Sequence, residues 1–216
     1  MSVEVKICGL STPETVDAAV DAGATHIGLV HYEKSPRHVS LQEGAKLRAR
    51  VPREVKVAMV VVGMQPEPFT RAFAAIRPDV VQFHGGETPE WMKLVKEHTG
   101  AETWRSVGLR SAETLENSRK FHGSCDRLLF DAPAKPLPGQ LPGGNGVPAQ
   151  WDLLEGWDAY MPWILAGGLT PDNVGEEIRV TGATMVDASS GVEDEPGVKN
   201  VDKIRAFVEA VNAAHA

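Results

Sequence analysis

Short apolar runs alternate along this chain with longer stretches that mix apolar and polar residues. Eight runs have β character: residues 3–8, 26–30, 56–62, 80–84, 102–107, 127–131, 163–166 and 183–188. Several of the stretches between them open with helix-start signals. Thr12-Pro13-Glu14-Thr15 offers an N-cap, a proline at the first helical position and early acidic charge. Ser40-Leu41-Gln42-Glu43 has the spacing of a capping box. Thr88-Pro89-Glu90 and Thr170-Pro171-Asp172 repeat the proline-after-cap device, and Gly23 and Gly100 fall where the first and fourth helices should stop.

Strands separated by helices imply parallel pairing through right-handed crossovers. Eight such units in 216 residues predict an α/β chain folded as a single (β/α)8 TIM barrel over residues 1–216. The competing architecture, an open doubly wound sheet, would normally carry a glycine-rich turn after its first strand. Cys8-Gly9-Leu10-Ser11 is not one. The one long irregular stretch, 132–148, holds five prolines and four glycines and reads as a functional lid or a disordered segment.

A formal charge of −7 without a Lys/Arg cluster argues against general nucleic-acid binding. It leaves an anionic small molecule open, because backbone dipoles can hold phosphate on an acidic protein. No apolar run approaches the ~20 residues that span a bilayer, so no membrane partner is expected. The N-terminus lacks the basic and apolar segments of a signal peptide. Two cysteines make no disulfide framework, and the expected compartment is cytoplasmic.

In a barrel of this kind, catalytic residues gather at the C-terminal ends of the strands. That rule selects Cys8, His31, His84, Asp131, Ser189 and Ser190, and it demotes Cys125, which precedes its strand. His26, His98, His122 and His215 read as solvated or strand-start residues. Period-two alternation turns Lys6 and Cys8 inward. Cys8 is then either a small buried hydrophobe or a thiol whose ionisation a nearby positive charge would favour. Asp187 on the eighth strand becomes the neighbour of Lys6 on barrel closure; it either pairs with that lysine or holds substrate hydroxyls. Asp131 is a turn residue or, beneath a closing loop, a desolvated general acid.

Ala166-Gly167-Gly168-Leu169-Thr170 and Ser189-Ser190-Gly191-Val192 follow the seventh and eighth runs. Both allow close backbone approach and together point to a phosphorylated ligand. Arg37, after the second run, is a carboxylate clamp or a solvated loop residue. No His/Cys/Asp grouping has zinc spacing.

Six ordered segments carry a family likeness: Lys6-Ile7-Cys8-Gly9-Leu10, Lys34-Ser35-Pro36-Arg37, Val81-Gln82-Phe83-His84-Gly85, Leu129-Phe130-Asp131, the run from Leu165 through Gly168 to Val174, and the run from Asp187 to Glu193. With them the chain resembles phosphoribosylanthranilate isomerase of tryptophan biosynthesis over nearly its full length. The resemblance implies a (β/α)8 barrel and an Amadori rearrangement of N-(5-phosphoribosyl)anthranilate. It implies Asp131 as general acid and Cys8 as general base. It further implies substrate contacts at Arg37, His84 and Asp187, and phosphate contacts at Gly144, Gly146, Gly168, Ser190 and Gly191. No metal or organic cofactor is implied, since the substrate nitrogen is the electron sink, and the expected assembly is a monomer or homodimer.

Some positions depart from the family pattern. Asn145 stands where threonine is common, His31 where an aromatic is more usual, and Phe83 replaces a usual leucine. The histidine-pathway aminoaldose isomerase would use an aspartate in place of Cys8 and show two similar half-barrels. Phosphosugar epimerases would need a metal-binding set, and a barrel that only binds a phosphorylated ligand would not need paired Cys8 and Asp131.

Overall fold

Eight parallel strands pair in sequence order, and the first pairs with the last to close a barrel. They are β1 (Glu4–Cys8), β2 (His26–Val30), β3 (Lys56–Val61), β4 (Val80–Phe83), β5 (Glu102–Gly108), β6 (Arg127–Asp131), β7 (Trp163–Leu165) and β8 (Met185–Ala188). The computed structural model describes residues 2–131 and 150–214. The stretch expected to act as a lid, 132–148, lies outside the described residues, as do Gly144 and Gly146. Each of the eight apolar runs forms a barrel strand.

Helices α1 (Pro13–Ala22), α2 (Leu41–Arg48), α3 (Pro66–Ile76), α4 (Pro89–Thr99), α5 (Ala112–Ser118), α6 (Val174–Thr181) and α7 (Val201–Ala213) lie in the crossovers and after β8. The Thr12, Ser40 and Thr88 side chains cap α1, α2 and α4, with the full capping box at Ser40–Glu43. Gly23 and Gly100 end α1 and α4 in the left-handed conformation, which only glycine adopts without a Cβ penalty.

Two expectations are corrected. Helix α6 begins at Val174 and not at Pro171. Asn173 accepts from the Thr170 amide at 2.8 Å and donates to the Gly168 carbonyl at 3.1 Å, which folds 171–173 into a turn. Among the described residues the sixth crossover holds a 3₁₀ turn, Trp151–Leu154, in place of an α-helix. Gly156 follows it in the left-handed conformation, with φ 65°. Trp157 then packs edge-on against Phe130 of β6 with centroids 5.2 Å apart, and Trp163 of β7 lies 6.2 Å from the same ring. These aromatics cover the sheet where a helix would otherwise sit.

Alternation along the strands makes two apolar layers. Outward residues such as Ile7, Ile27, Met59, Phe83 and Phe130 pack beneath the helices. Inside the barrel, Ala58, Val80, Trp104, Leu129, Ile164 and Met185 form a second buried cluster. The N-terminal end carries charge: Glu102 accepts from Trp104 Nε1 and Arg127 Nε, both at 2.8 Å, and Arg127 reaches Glu4 at 2.7 Å. His26 starts β2 as expected but is buried rather than solvated, against Trp104 at 5.3 Å. Burial pulls its pKa down to about 3. The chemistry-bearing ends of the strands open at the opposite face.

After β8 the chain makes a 3₁₀ turn, Ser190–Val192, and a small antiparallel hairpin outside the barrel, β9 (Glu193–Glu195) and β10 (Val198–Lys199). Among the described residues no helix is long and apolar enough to cross a membrane.

Candidate active site

Cys8 ends β1 and Asp131 ends β6, three strands apart round the ring, so both close their strands at the same mouth from well-separated sides. Both are buried. Register pairs Lys6 with Asp187 across β1 and β8, and the Lys6 ammonium donates to Asp187 Oδ1 at 2.8 Å. The pairing expected of these two residues is observed. Lys6 is fully buried, yet its pKa is raised: burial pulls it down, and the Asp187 carboxylate and the Cys8 thiolate together outweigh that.

For the thiol itself the sequence leaves two readings open, and its surroundings favour the neutral form. Burial pushes the Cys8 pKa up, the Lys6 charge pulls it down, and Asp187 adds a further upward push; the net direction is up. Asp187 offsets part of the field that an isolated Lys6 would supply. Room for the thiol comes from Gly28, its register partner on β2. A Cβ at Gly28 would stand 2.7 Å from Cys8 Sγ and 3.1 Å from Lys6 Cε, so a side chain there would displace both. Cys125 is unpaired, buried at the far end of the barrel, and pushed up to about 12 chiefly by burial.

His84 follows β4 and brings Nε2 to 3.4 Å from Asp131 Oδ2. Gln82, two residues earlier on the same inward face, lies 3.3 Å from His84 Nδ1 through its amide nitrogen. If that amide donates, the ring proton sits on Nε2 and faces the carboxylate. Behind this row Glu87 accepts from the Gly63 amide at 2.6 Å, the Gly85 amide at 2.8 Å and Arg105 Nη1 at 3.0 Å. It ties the loops after β3 and β4 to β5.

Arg37 is not a solvated loop residue. Its side chain is buried and lies over the backbone of Gly9, where a Cβ would come within 2.5 Å of Arg37 Cδ. Gly9 has φ 76°, so glycine is required there on two counts. The guanidinium donates from Nε and Nη2 to the two oxygens of Glu193, each at 2.7 Å. Arg37 and Lys199 together hold the Glu193 carboxylate below its ordinary pKa despite burial.

The two glycine turns meet. Gly167 and Gly168 both have φ 85°, and a Cβ at Gly191 would collide with the Leu169 carbonyl oxygen. The loops after β7 and β8 therefore lie backbone against backbone, with Ser190 at the start of its 3₁₀ turn. Gly28, Glu87, Glu193 and Lys199 were not singled out as functional residues by sequence reasoning. Among the described residues, no three His, Cys, Asp or Glu side chains gather as a metal site.

Comparison with known proteins gives a consistent answer. The family described as N-(5'phosphoribosyl)anthranilate (PRA) isomerase matches residues 5–210. The N-(5'-phosphoribosyl)anthranilate isomerase of Erythrobacter litoralis is 60% identical over 97% of this chain and 99% of its own length. That of Parvibaculum lavamentivorans is 42% identical over 99% of this chain and all of its own. Among solved structures, phosphoribosyl anthranilate isomerase from Thermotoga maritima superposes with a TM-score of 0.85 at 31% identity, covering 98% of this chain and 99% of that one. A phosphoribosyl anthranilate isomerase in complex with reduced 1-(o-carboxyphenylamino)-1-deoxyribulose 5-phosphate superposes with a TM-score of 0.82 at 30% identity, covering 99% of this chain and all of the other. Fold and relatives agree, and the chain belongs to the N-(5'-phosphoribosyl)anthranilate isomerase family.

Proposed function

We propose that this chain isomerises N-(5-phosphoribosyl)anthranilate to the 1-deoxyribulose 5-phosphate product, with Asp131 as general acid and Cys8 as general base. The observation that carries the reading is the pair of strand ends: a carboxyl closing β6 and a thiol closing β1 at one barrel mouth. Asp131 protonates the ring oxygen of the sugar. The C1–O bond breaks as the anilino nitrogen lone pair forms C1=N, leaving an open-chain Schiff base. Cys8 as thiolate removes the C2 proton, and the C–H electrons pass through C1 to the nitrogen to give an enolamine. Ketonisation moves the hydroxyl proton from C2–OH and adds a proton at C1. Each positioned acid or base of this kind is worth about 10²–10⁴-fold.

Substrate ends are assigned on the same basis. Arg37, buried beside Gly9 and hence beside Cys8, binds the anthranilate carboxylate, with Glu193 fixing its plane. Gly168, Ser190 and Gly191 offer backbone amides to phosphate, and Gly144 and Gly146 are assigned to the same group from the sequence pattern alone. Asp187, its Oδ1 held by Lys6, orients sugar hydroxyls. His84 lines the mouth beside Asp131 and orients the acid. Two unpaired, buried cysteines fit a cytoplasmic setting.

The test is turnover of N-(5-phosphoribosyl)anthranilate, followed by loss of substrate fluorescence, in the wild-type protein, Cys8→Ala and Asp131→Asn. Wild-type turnover with a loss of at least about a hundredfold in each variant supports the assignment. Unchanged activity in either variant removes that residue from the mechanism.

A further inference from the structure

The hairpin β9–β10 is not needed to close the barrel, yet it buries three charges at once. The side chains of Arg37, Glu193 and Lys199 are 5%, 3% and 1% exposed. Taking ions out of water is costly unless geometry repays it, so such a cluster is weak evidence for stability and points to what it fixes. The connections are complete. Glu193 receives Arg37 on both oxygens, Lys199 Nζ at 2.5 Å on Oε1 and the Gly197 amide at 3.2 Å on Oε2. Lys199 turns its other donors to Ser189, reaching the carbonyl at 2.8 Å and the hydroxyl at 3.4 Å. Ser189 Oγ donates in turn to the Cys8 carbonyl at 3.3 Å.

The hairpin is pressed into place from both sides. Gly197, with φ 88°, would put a Cβ 2.6 Å from the carbonyl oxygen of Pro36, the residue before Arg37. Behind it, Asn200 caps α7 and also donates to Asp194, while Lys203 donates to the Glu193 carbonyl at 2.8 Å. One buried relay, Arg37–Glu193–Lys199–Ser189, thus runs from the loop after β2 to the residue preceding Ser190 and Gly191.

We infer that Glu193 and Lys199 are positioning residues that set the distance between the carboxylate-binding end of the site at Arg37 and the phosphate-binding turn at Ser190–Gly191. The inference rests on the assignment of those two ends made above. A rigid span favours a ligand that engages both ends, because the second contact is then made at a high effective concentration. It gives little to a fragment that touches one end.

The experiment compares three competing ligands in the wild-type protein, Lys199→Met and Glu193→Gln. They are the reaction product, which carries both anions; ribose 5-phosphate, which carries only the phosphate; and anthranilate, which carries only the carboxylate. Expected in either variant is a loss of at least about tenfold for the product, with less than about threefold for each fragment in Lys199→Met and for ribose 5-phosphate in Glu193→Gln, where Arg37 loses its partner. Glu193→Gln keeps the shape of the carboxylate and supplies the result if Lys199→Met does not fold. Equal weakening of all three ligands, or no weakening of any, overturns the inference. The premise is checked separately: Arg37→Ala should abolish competition by anthranilate alone, and Gly191→Ala competition by ribose 5-phosphate alone. Failure of that pattern overturns the assignment of the ends, and the inference with it, whatever the Lys199 and Glu193 variants show.

Discussion

Lys6 and Asp187 form a buried ion pair across the seam where β1 meets β8, 2.8 Å apart, directly beneath Cys8. One residue of the pair has no exposed surface at all. Such a pair adds little net stability, but removing one member strands the other in a low-dielectric interior. We therefore expect Lys6→Met and Asp187→Leu each to lose about 3–5 kcal/mol in denaturant unfolding. The double replacement should recover most of that loss. Additive single losses would show that the two charges do not depend on each other.

The same pair governs the thiol. Burial and Asp187 push the Cys8 pKa above its ordinary value of 9.0, while Lys6 opposes them. Asp187→Asn keeps the side-chain shape, removes the opposing charge and leaves Lys6 to pair with the thiolate. Thiolate absorbance, taken as the difference between each protein and its Cys8→Ser counterpart, should titrate above 9 in the wild-type protein and at lower pH in Asp187→Asn. An unchanged or higher midpoint in Asp187→Asn would contradict this balance.

His26 makes the fold sensitive to acid. In the folded chain it stays neutral down to about pH 3, whereas an exposed histidine protonates below about 6.5. The unfolded state thus takes up the extra proton as pH falls, so this contribution is complete above pH 6.5 and is lost between 6.5 and about 3. The slope is up to about 1.4 kcal/mol per pH unit. His26→Asn, which keeps a polar group beside Thr25, should flatten the unfolding free energy against pH over that interval. An unaltered slope would mean that His26 is already protonated in the folded protein.

These features differ in how far they could be read from the chain. Helix caps were legible because Thr12, Ser40 and Thr88 act within four residues of themselves, where spacing is the whole signal. Cys8 and Asp131 stood out because each breaks an apolar run just before a turn, and barrel topology then sends both to one face. Lys6 and Asp187 were pairable because closure of eight strands makes the first and last neighbours. Gly28 was not legible as the residue that accommodates the thiol, since that depends on strand register and not on its own sequence context. The Arg37–Glu193 contact joins residues 156 positions apart, and nothing local to either one points to the other. The direction of the Cys8 shift is not legible because it is a difference between burial and two opposed charges, and residue types alone do not rank those magnitudes. The sixth crossover departs from the strand–helix alternation because its aromatic packing onto Phe130 and Trp163 is a tertiary solution with no local pattern.

The division of labour between Asp131 and Cys8 is tested most directly by deuterium at C2 of the ribosyl group of the substrate. In Cys8→Ser the weak base makes removal of that hydrogen the slow step, so single-turnover rates should show a full primary isotope effect. In Asp131→Asn ring opening becomes slow, and the same isotopic substitution should have almost no effect. A large isotope effect in Asp131→Asn with none in Cys8→Ser would contradict the assignment of acid and base.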